Sequence, residues 1–166
     1  MTMQAISDWL SSTDASQFIA NTAWVVPVVQ SIHILAIAIV MASIGMLDLR
    51  LVGFIGREHS LHGLARRFFP WIWGALVVLF LTGIVMILSE PARELLNWIF
   101  WTKMGLLVFA VAVTLPVRKL LEDHRFRDLA PDKRKLVRLC GGLSLIAWVA
   151  IVTCGRWIAY AGGNAV

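Results

Sequence analysis

Four long apolar runs dominate the pattern of the chain. They lie at about residues 24–47, 70–89, 99–117 and 139–161, and polar residues interrupt them rarely. Each run is long enough for a helix to cross a hydrocarbon core, which takes roughly 20 residues. None alternates between apolar and polar positions with the period of two that a membrane strand requires. Because a spanning helix satisfies its own backbone, the pattern predicts an all-α, integral membrane four-helix bundle.

The segments around these runs predict short surface helices and no second domain. Residues 1–22 place apolar side chains among Ser, Thr, Asp and Gln, and Thr13-Asp14 followed by Gln17 is typical of a helix start. We interpret this segment as one or two interfacial helices at the outer surface. Pro91 is suited to open a further short helix over 92–97. The sequence therefore predicts a single transmembrane domain over residues 1–166.

The distribution of basic residues predicts the orientation. Residues 1–23 contain none, whereas the segments after the first and third runs hold twelve of the fifteen Lys and Arg. These twelve are Arg50, Arg57, Arg66, Arg67, Arg118, Lys119, Arg125, Arg127, Lys133, Arg134, Lys135 and Arg138. The positive-inside rule places both segments in the cytoplasm and both termini on the periplasmic side of a bacterial inner membrane.

Composition and charge exclude several other classes. The chain is 59% hydrophobic and 15% charged, whereas soluble domains average about 45–50% and 25%. Two Cys are too few for a disulfide scaffold. Basic loops beside anionic lipid explain the net charge of +5, so we expect the bilayer as the partner and no nucleic acid.

Ionisable side chains inside the runs carry the candidate chemistry. Each costs roughly 2.5–3.5 kcal/mol on insertion scales and therefore requires a reason. His33, Lys103 and Arg156 all fall in the predicted outer half of their spans. Helical periodicity places each of them on a stripe of its own run. The stripe of His33 contains Gln30, Ile37, Met41, Ile44 and Asp48. The stripe of Lys103 contains Leu107, Ala110 and Thr114, and that of Arg156 contains Tyr160, Val149 and Leu145.

If these stripes face inward, five side chains converge on a small pocket that opens toward the outer leaflet: Gln30, His33, Lys103, Arg156 and Tyr160. Each also has a structural interpretation. His33 is suited to hydrogen-bond across helices, and Lys103 to snorkel to the interface. Arg156 can do the same or pair with Glu90, and Tyr160 is typical of an aromatic belt.

Several sequence motifs resemble known families. The first run reads SIHILAIAIVMASIGMLDLRLVG, the second ends FLTGIVMIL, and the third opens WIFWTKMGLL. With the closing GR-IAY, they resemble an uncharacterised family of small bacterial four-helix membrane proteins. More distantly, the early His and the Trp-preceded Lys resemble the HemJ-type protoporphyrinogen oxidases, and the His-Ile-Leu is similar to CopD-type copper proteins. The HemJ resemblance implies a b-type haem held by His33 and Lys103.

Three functions remain open. The pocket suits haem b, with His33 as the metal ligand and Lys103 or Arg156 beside a propionate, or a quinone that exchanges protons with His33. Because the runs contain no second His, the other axial position falls to Lys103, Met104, an open site or His33 of a second copy. The second function is a non-catalytic accessory subunit that assembles with other membrane subunits or with copies of itself. The third is transport of copper or another cation through His33, Met41 and Met46.

Overall fold

Seven helices make up the part of the chain that the computed structural model describes, residues 2–54, 61–122 and 131–161. Side chains 118, 120–122 and 159–161 lie outside that description. The helices are α1 (Met3–Ser11), α2 (Asp14–Asn21), α3 (Val25–Val52), α4 (Leu61–Ser89), α5 (Pro91–Leu95), α6 (Trp98–Glu122) and α7 (Pro131–Ala161). Four of them, α3, α4, α6 and α7, are long and apolar enough to cross a membrane. The predicted all-α chain is confirmed, and its four long helices are compatible with the predicted membrane bundle.

Local sequence signals set the ends of several helices. The Thr13 hydroxyl caps α2 by accepting a hydrogen bond from the backbone of Ser16, so the helix start predicted there is present. Pro91 occupies the first turn of α5, where its missing N–H is not needed. At the end of α3, Gly53 adopts a left-handed conformation with φ of 98°, and its N–H donates to the carbonyl of Leu49.

The long helices extend beyond the apolar runs. α4 begins at Leu61 and carries Pro70 inside it, although Pro70 opens the apolar run of the sequence. α7 begins at Pro131, eight positions before the run at 139. Arg and Lys are good helix formers, so the helix continues into the charged flank. Spanning helices tolerate an internal Pro because neighbouring groups satisfy the carbonyl that it frees.

The four long helices form a bundle with one loose seam. α3 packs along both α4 and α7, and α7 packs along α6, while α4 and α6 contact each other much less. The three short helices gather at the end where α5 joins α4 to α6, and we call this the α5 end. The opposite end, where α3 ends and α7 begins, is called the loop end. The Ser16 hydroxyl donates to the carbonyl of Leu88 at 2.7 Å and so attaches α2 to the end of α4.

The inward face of α7 differs from the one that periodicity predicts. Ser144, Ala147 and Trp148 are buried, whereas Val149 is 51% exposed and Arg156 is also exposed. Two members of the predicted α7 stripe, Val149 and Arg156, therefore do not face the bundle interior. A spanning helix is apolar on every side because lipid and protein interior have similar polarity, so hydrophobic periodicity does not identify the packed face.

Candidate functional site

His33 forms a hydrogen bond between two spanning helices at the α5 end. Its Nδ1 lies 2.6 Å from Oγ1 of Thr82 on α4. Thr82 is only 9% exposed, and His33 is half-buried. Gly83 follows Thr82, and a Cβ there would lie 4.0 Å from Cε1 of His33, so the imidazole packs against the α4 backbone.

The surroundings of Thr82 select the tautomer of His33. The Thr82 hydroxyl also lies 2.6 Å from the carbonyl oxygen of Val78, one turn earlier. A carbonyl only accepts, and a hydroxyl has one hydrogen to donate. Both short contacts are satisfied together when Thr82 donates to Val78 and the Nδ1–H of His33 donates to Thr82. In the neutral imidazole, this assignment leaves Nε2 of His33 unprotonated, with a lone pair available to a ligand.

Lys103 lies across the bundle interior from His33. It is half-buried on α6, within electrostatic range of His33 on α3 and of Glu94 on α5. A Cβ at Gly155 of α7 would lie 3.7 Å from Nζ of Lys103. The glycine therefore allows the ammonium group to approach the α7 backbone. Lys103 and His33 therefore share one electrostatic environment, to which helices α3, α4, α6 and α7 all contribute.

Glu94 is a member of this cluster that the sequence analysis missed. It belongs to the short helix α5 but is only 8% exposed. Burial raises the pKa of Glu94 above its ordinary 4.5, and the positive charges of Lys103 and Arg93 oppose that rise. The sequence placed α5 on the outer surface, where a carboxylate is expected to be solvated. The intramembrane Lys103, which favours a nearby carboxylate, was the sequence signal that could have identified it. We call His33, Thr82, Glu94 and Lys103 the His33 cluster.

The three other predicted site residues are Gln30, Arg156 and Tyr160. Gln30 is exposed, although it lies one turn from His33 on the same helix. Arg156 is exposed beside the buried face of α7. The side chain of Tyr160 lies outside the described residues. Glu90 forms an ion pair with Arg93 along α5. Of the five predicted residues, the structure brings His33 and Lys103 into one electrostatic environment.

The described residues contain no cluster of metal ligands. Within residues 2–54, 61–122 and 131–161, no three His, Cys, Asp or Glu lie together as a protein-only metal site requires. The residues of the copper hypothesis diverge, since Met41 packs against the core and Met46 is exposed. A metal at His33 would therefore need most of its ligands from a cofactor.

A second polar site lies near the loop end. Asp48 of α3 and Ser144 of α7 are both buried, and both line a small cavity between the helices. Asp48 belongs to the His33 stripe of the first span, and its burial agrees with an inward orientation of that stripe. Ser144 has no predicted role, because a Ser in an apolar run is common at helix contacts.

The comparisons identify a family but no relative of known function. The model of a family of unknown function, DUF6644, matches residues 9–161. Neither the curated proteins nor the solved structures gave a match. The match covers both the His33 cluster and the Asp48 cavity.

Proposed function

We propose that this chain, which belongs to the DUF6644 family of unknown function, binds a membrane redox cofactor at the α5 end of its bundle. The observation that carries the proposal is the 2.6 Å hydrogen bond between Nδ1 of His33 and Thr82. It leaves Nε2 as the atom that contacts the cofactor. An ionisable group inside a spanning helix marks a functional site by default, and here two such groups face one interior.

Haem b is the first candidate cofactor. A histidine that ligates a metal usually donates its other ring N–H to a neighbouring acceptor, which fixes both the tautomer and the ring orientation. Thr82 supplies that acceptor for His33. Lys103 would supply either a cation that pairs with a haem propionate or a nitrogen ligand for the iron. When bound, the haem would supply one-electron chemistry, and the protein would hold and orient it.

A quinol is the second candidate, and the position of Lys103 favours it. The unprotonated Nε2 of His33 is suited to accept a hydrogen bond, and then a proton, from a quinol hydroxyl. The Lys103 ammonium is a donor for an oxygen of the same head group. The contact between α4 and α6 is the loosest among neighbouring long helices, and it offers a lipid-soluble molecule a route between them.

We also propose that the α5 end faces the periplasm. The loop end carries Arg50 in the last turn of α3, and Lys133 and Arg134 in the first turns of α7. Cytoplasmic ends of spanning helices are enriched in such residues. In intact cells, a membrane-impermeant thiol reagent should label a Cys introduced at Trp9 and leave one introduced at Lys133 unlabelled. The reverse pattern would reject this orientation.

Absorption spectroscopy and quinone extraction test the cofactor proposal. The protein is purified from haem-replete cells in mild detergent, and its spectrum is recorded before and after reduction by dithionite. The haem form predicts a Soret band that shifts on reduction and disappears in His33→Ala. The quinone form predicts a colourless protein from which organic solvent extracts quinone, with extraction reduced in His33→Ala.

Matched variants separate a role of the cluster from general damage. Thr153→Val removes an exposed Thr hydroxyl that donates only within its own helix, so cofactor content should remain normal. Thr82→Val should reduce cofactor affinity by about 10–100-fold, the effect typical of removing a partner that orients a ligating His. Absence of both haem and quinone from the wild-type protein would refute the proposal. An accessory subunit would then be tested by cross-linking and co-purification.

A further inference from the structure

The cavity near the loop end contains buried polar atoms that lack well-formed hydrogen bonds. Asp48 is 8% exposed and Ser144 is 3% exposed. Within the described part of the chain, neither Oδ2 of Asp48 nor Oγ of Ser144 has a well-formed hydrogen bond, although the two side chains lie close enough to interact. Both residues line a cavity of about 20 Å³. Asp48 follows His33 by 15 positions on α3, about 22 Å at 1.5 Å per residue, so this site is separate from the His33 cluster.

The poorly satisfied polar atoms favour a bound water. A buried hydroxyl without a hydrogen bond costs about 1–3 kcal/mol, and an ionised carboxylate costs far more. A cavity needs roughly 10–15 Å³ to hold one water, so this one has room for about one. The remaining lining is mostly apolar, with Phe69 and Ile72 from α4 and Val113 from α6. A water bound here would therefore have the polar side chains of α3, α6 and α7 as its partners.

The donor set favours a proton over a metal cation. Three side chains offer oxygens to the cavity: Asp48, Ser144 and Thr114. Thr114 donates its hydrogen to the carbonyl of Ala110 at 2.7 Å and can only accept from the cavity. Ca²⁺ takes six or more oxygen ligands, and Mg²⁺ requires octahedral coordination. The cavity is too small to add the missing ligands as water.

We propose that Asp48 is a proton-binding site inside the bundle, with one water in the cavity linking its carboxyl group to the Ser144 hydroxyl. Protonation gives the carboxyl a donor and removes its charge from the apolar interior. Cys140 of α7 is the other titratable side chain among the described residues that line the cavity. The described linings from α4 and α6 contribute apolar side chains and Thr114. Asp48 thus forms an intramembrane proton acceptor on the opposite half of the bundle from His33.

Infrared spectroscopy of the purified protein tests the assignment. A protonated carboxyl has a carbonyl-stretch band that carboxylates lack, and the band shifts when the protein is transferred to D₂O. Near neutral pH the wild-type protein should show this band. Asp48→Asn should abolish it, and the matched control Asp132→Asn, at the start of α7, should retain it. Glu94 is a second buried carboxyl group, so the spectra are compared in a Glu94→Gln background. A band that survives Asp48→Asn in that background, or no band in the background protein itself, would overturn the proposal.

Two further arms keep the test decisive if Asp48→Asn does not fold. Ser144→Ala removes the hydroxyl partner but keeps the carboxyl, so the band should persist and change frequency. An unchanged frequency would contradict the water link between the two side chains. Titration of the wild-type protein with NaCl should leave the band intensity constant. A loss of intensity as Na⁺ rises would identify a cation that displaces the proton and would reject the proton-only assignment.

Discussion

Replacing Thr82 by Val tests the hydrogen bond on which the proposed function depends. Val has nearly the shape of Thr but no hydroxyl, so the substitution removes the acceptor of His33 with little change in packing. Hydrogen bonds between membrane helices average about 0.6 kcal/mol and reach about 1.7 kcal/mol. The His33–Thr82 bond is short, at 2.6 Å, and its acceptor is nine-tenths buried. The loss also leaves the Nδ1–H without a partner. We therefore expect Thr82→Val to lower the free energy of unfolding by about 1–2 kcal/mol.

The assay is unfolding in mixed micelles, with two controls. Thr82→Ser keeps the hydroxyl and should remain close to the wild type. Thr153→Val removes a hydroxyl that bonds to Val149 within its own helix and should change stability by less than about 0.5 kcal/mol. A double-mutant cycle with His33→Ala isolates the pairwise energy. Equal destabilisation by Thr82→Val and Thr153→Val, or a cycle without coupling, would contradict a stabilising bond between His33 and Thr82.

Three further predictions concern other parts of the bundle. Ser16→Ala removes the hydrogen bond to Leu88 that attaches α2 to α4. The amide hydrogens of α1 and α2 should then exchange faster, and the free energy of unfolding should fall by about 1 kcal/mol. Unchanged exchange would contradict this attachment. Burial raises the pKa of Glu94 above 4.5. The stabilisation that comes from this shift is therefore complete below pH 4.5 and is lost as the pH rises through the pKa of the folded state. The thermal stability of Glu94→Gln should depend less on pH above 4.5 than that of the wild type. Identical pH profiles for the two proteins would contradict a raised pKa of Glu94. A Cβ at Gly141 would lie 2.9 Å from Cδ2 of Leu51. Gly141→Ala should therefore lower the free energy of unfolding by about 1–3 kcal/mol in the same mixed-micelle assay. A neutral result would show that Leu51 moves aside.

The two polar sites were predictable to different degrees. His33 and Lys103 were identified because an ionisable group in an apolar run is conspicuous in the sequence. Thr82 and Ser144 were not identified, because hydroxyl residues are common in spanning helices and their partners belong to other helices. Glu94 was missed because its burial depends on how α5 folds against the bundle. Which helix faces which is a property of packing and is not encoded in a single run.

The sequence by itself determined that the chain has four helices long and apolar enough to span a membrane and where short helices start. Backbone hydrogen bonding in an apolar solvent leaves few alternatives, and the caps at Thr13 and Pro91 act within one turn. Only the tertiary structure decided which face of α7 is buried and which groups meet across the interior. The physical reason is that lipid and protein interior are similarly apolar, so hydrophobicity does not distinguish them. Close packing and a few interhelical hydrogen bonds, such as that of His33 with Thr82, decide between faces that the sequence leaves equivalent.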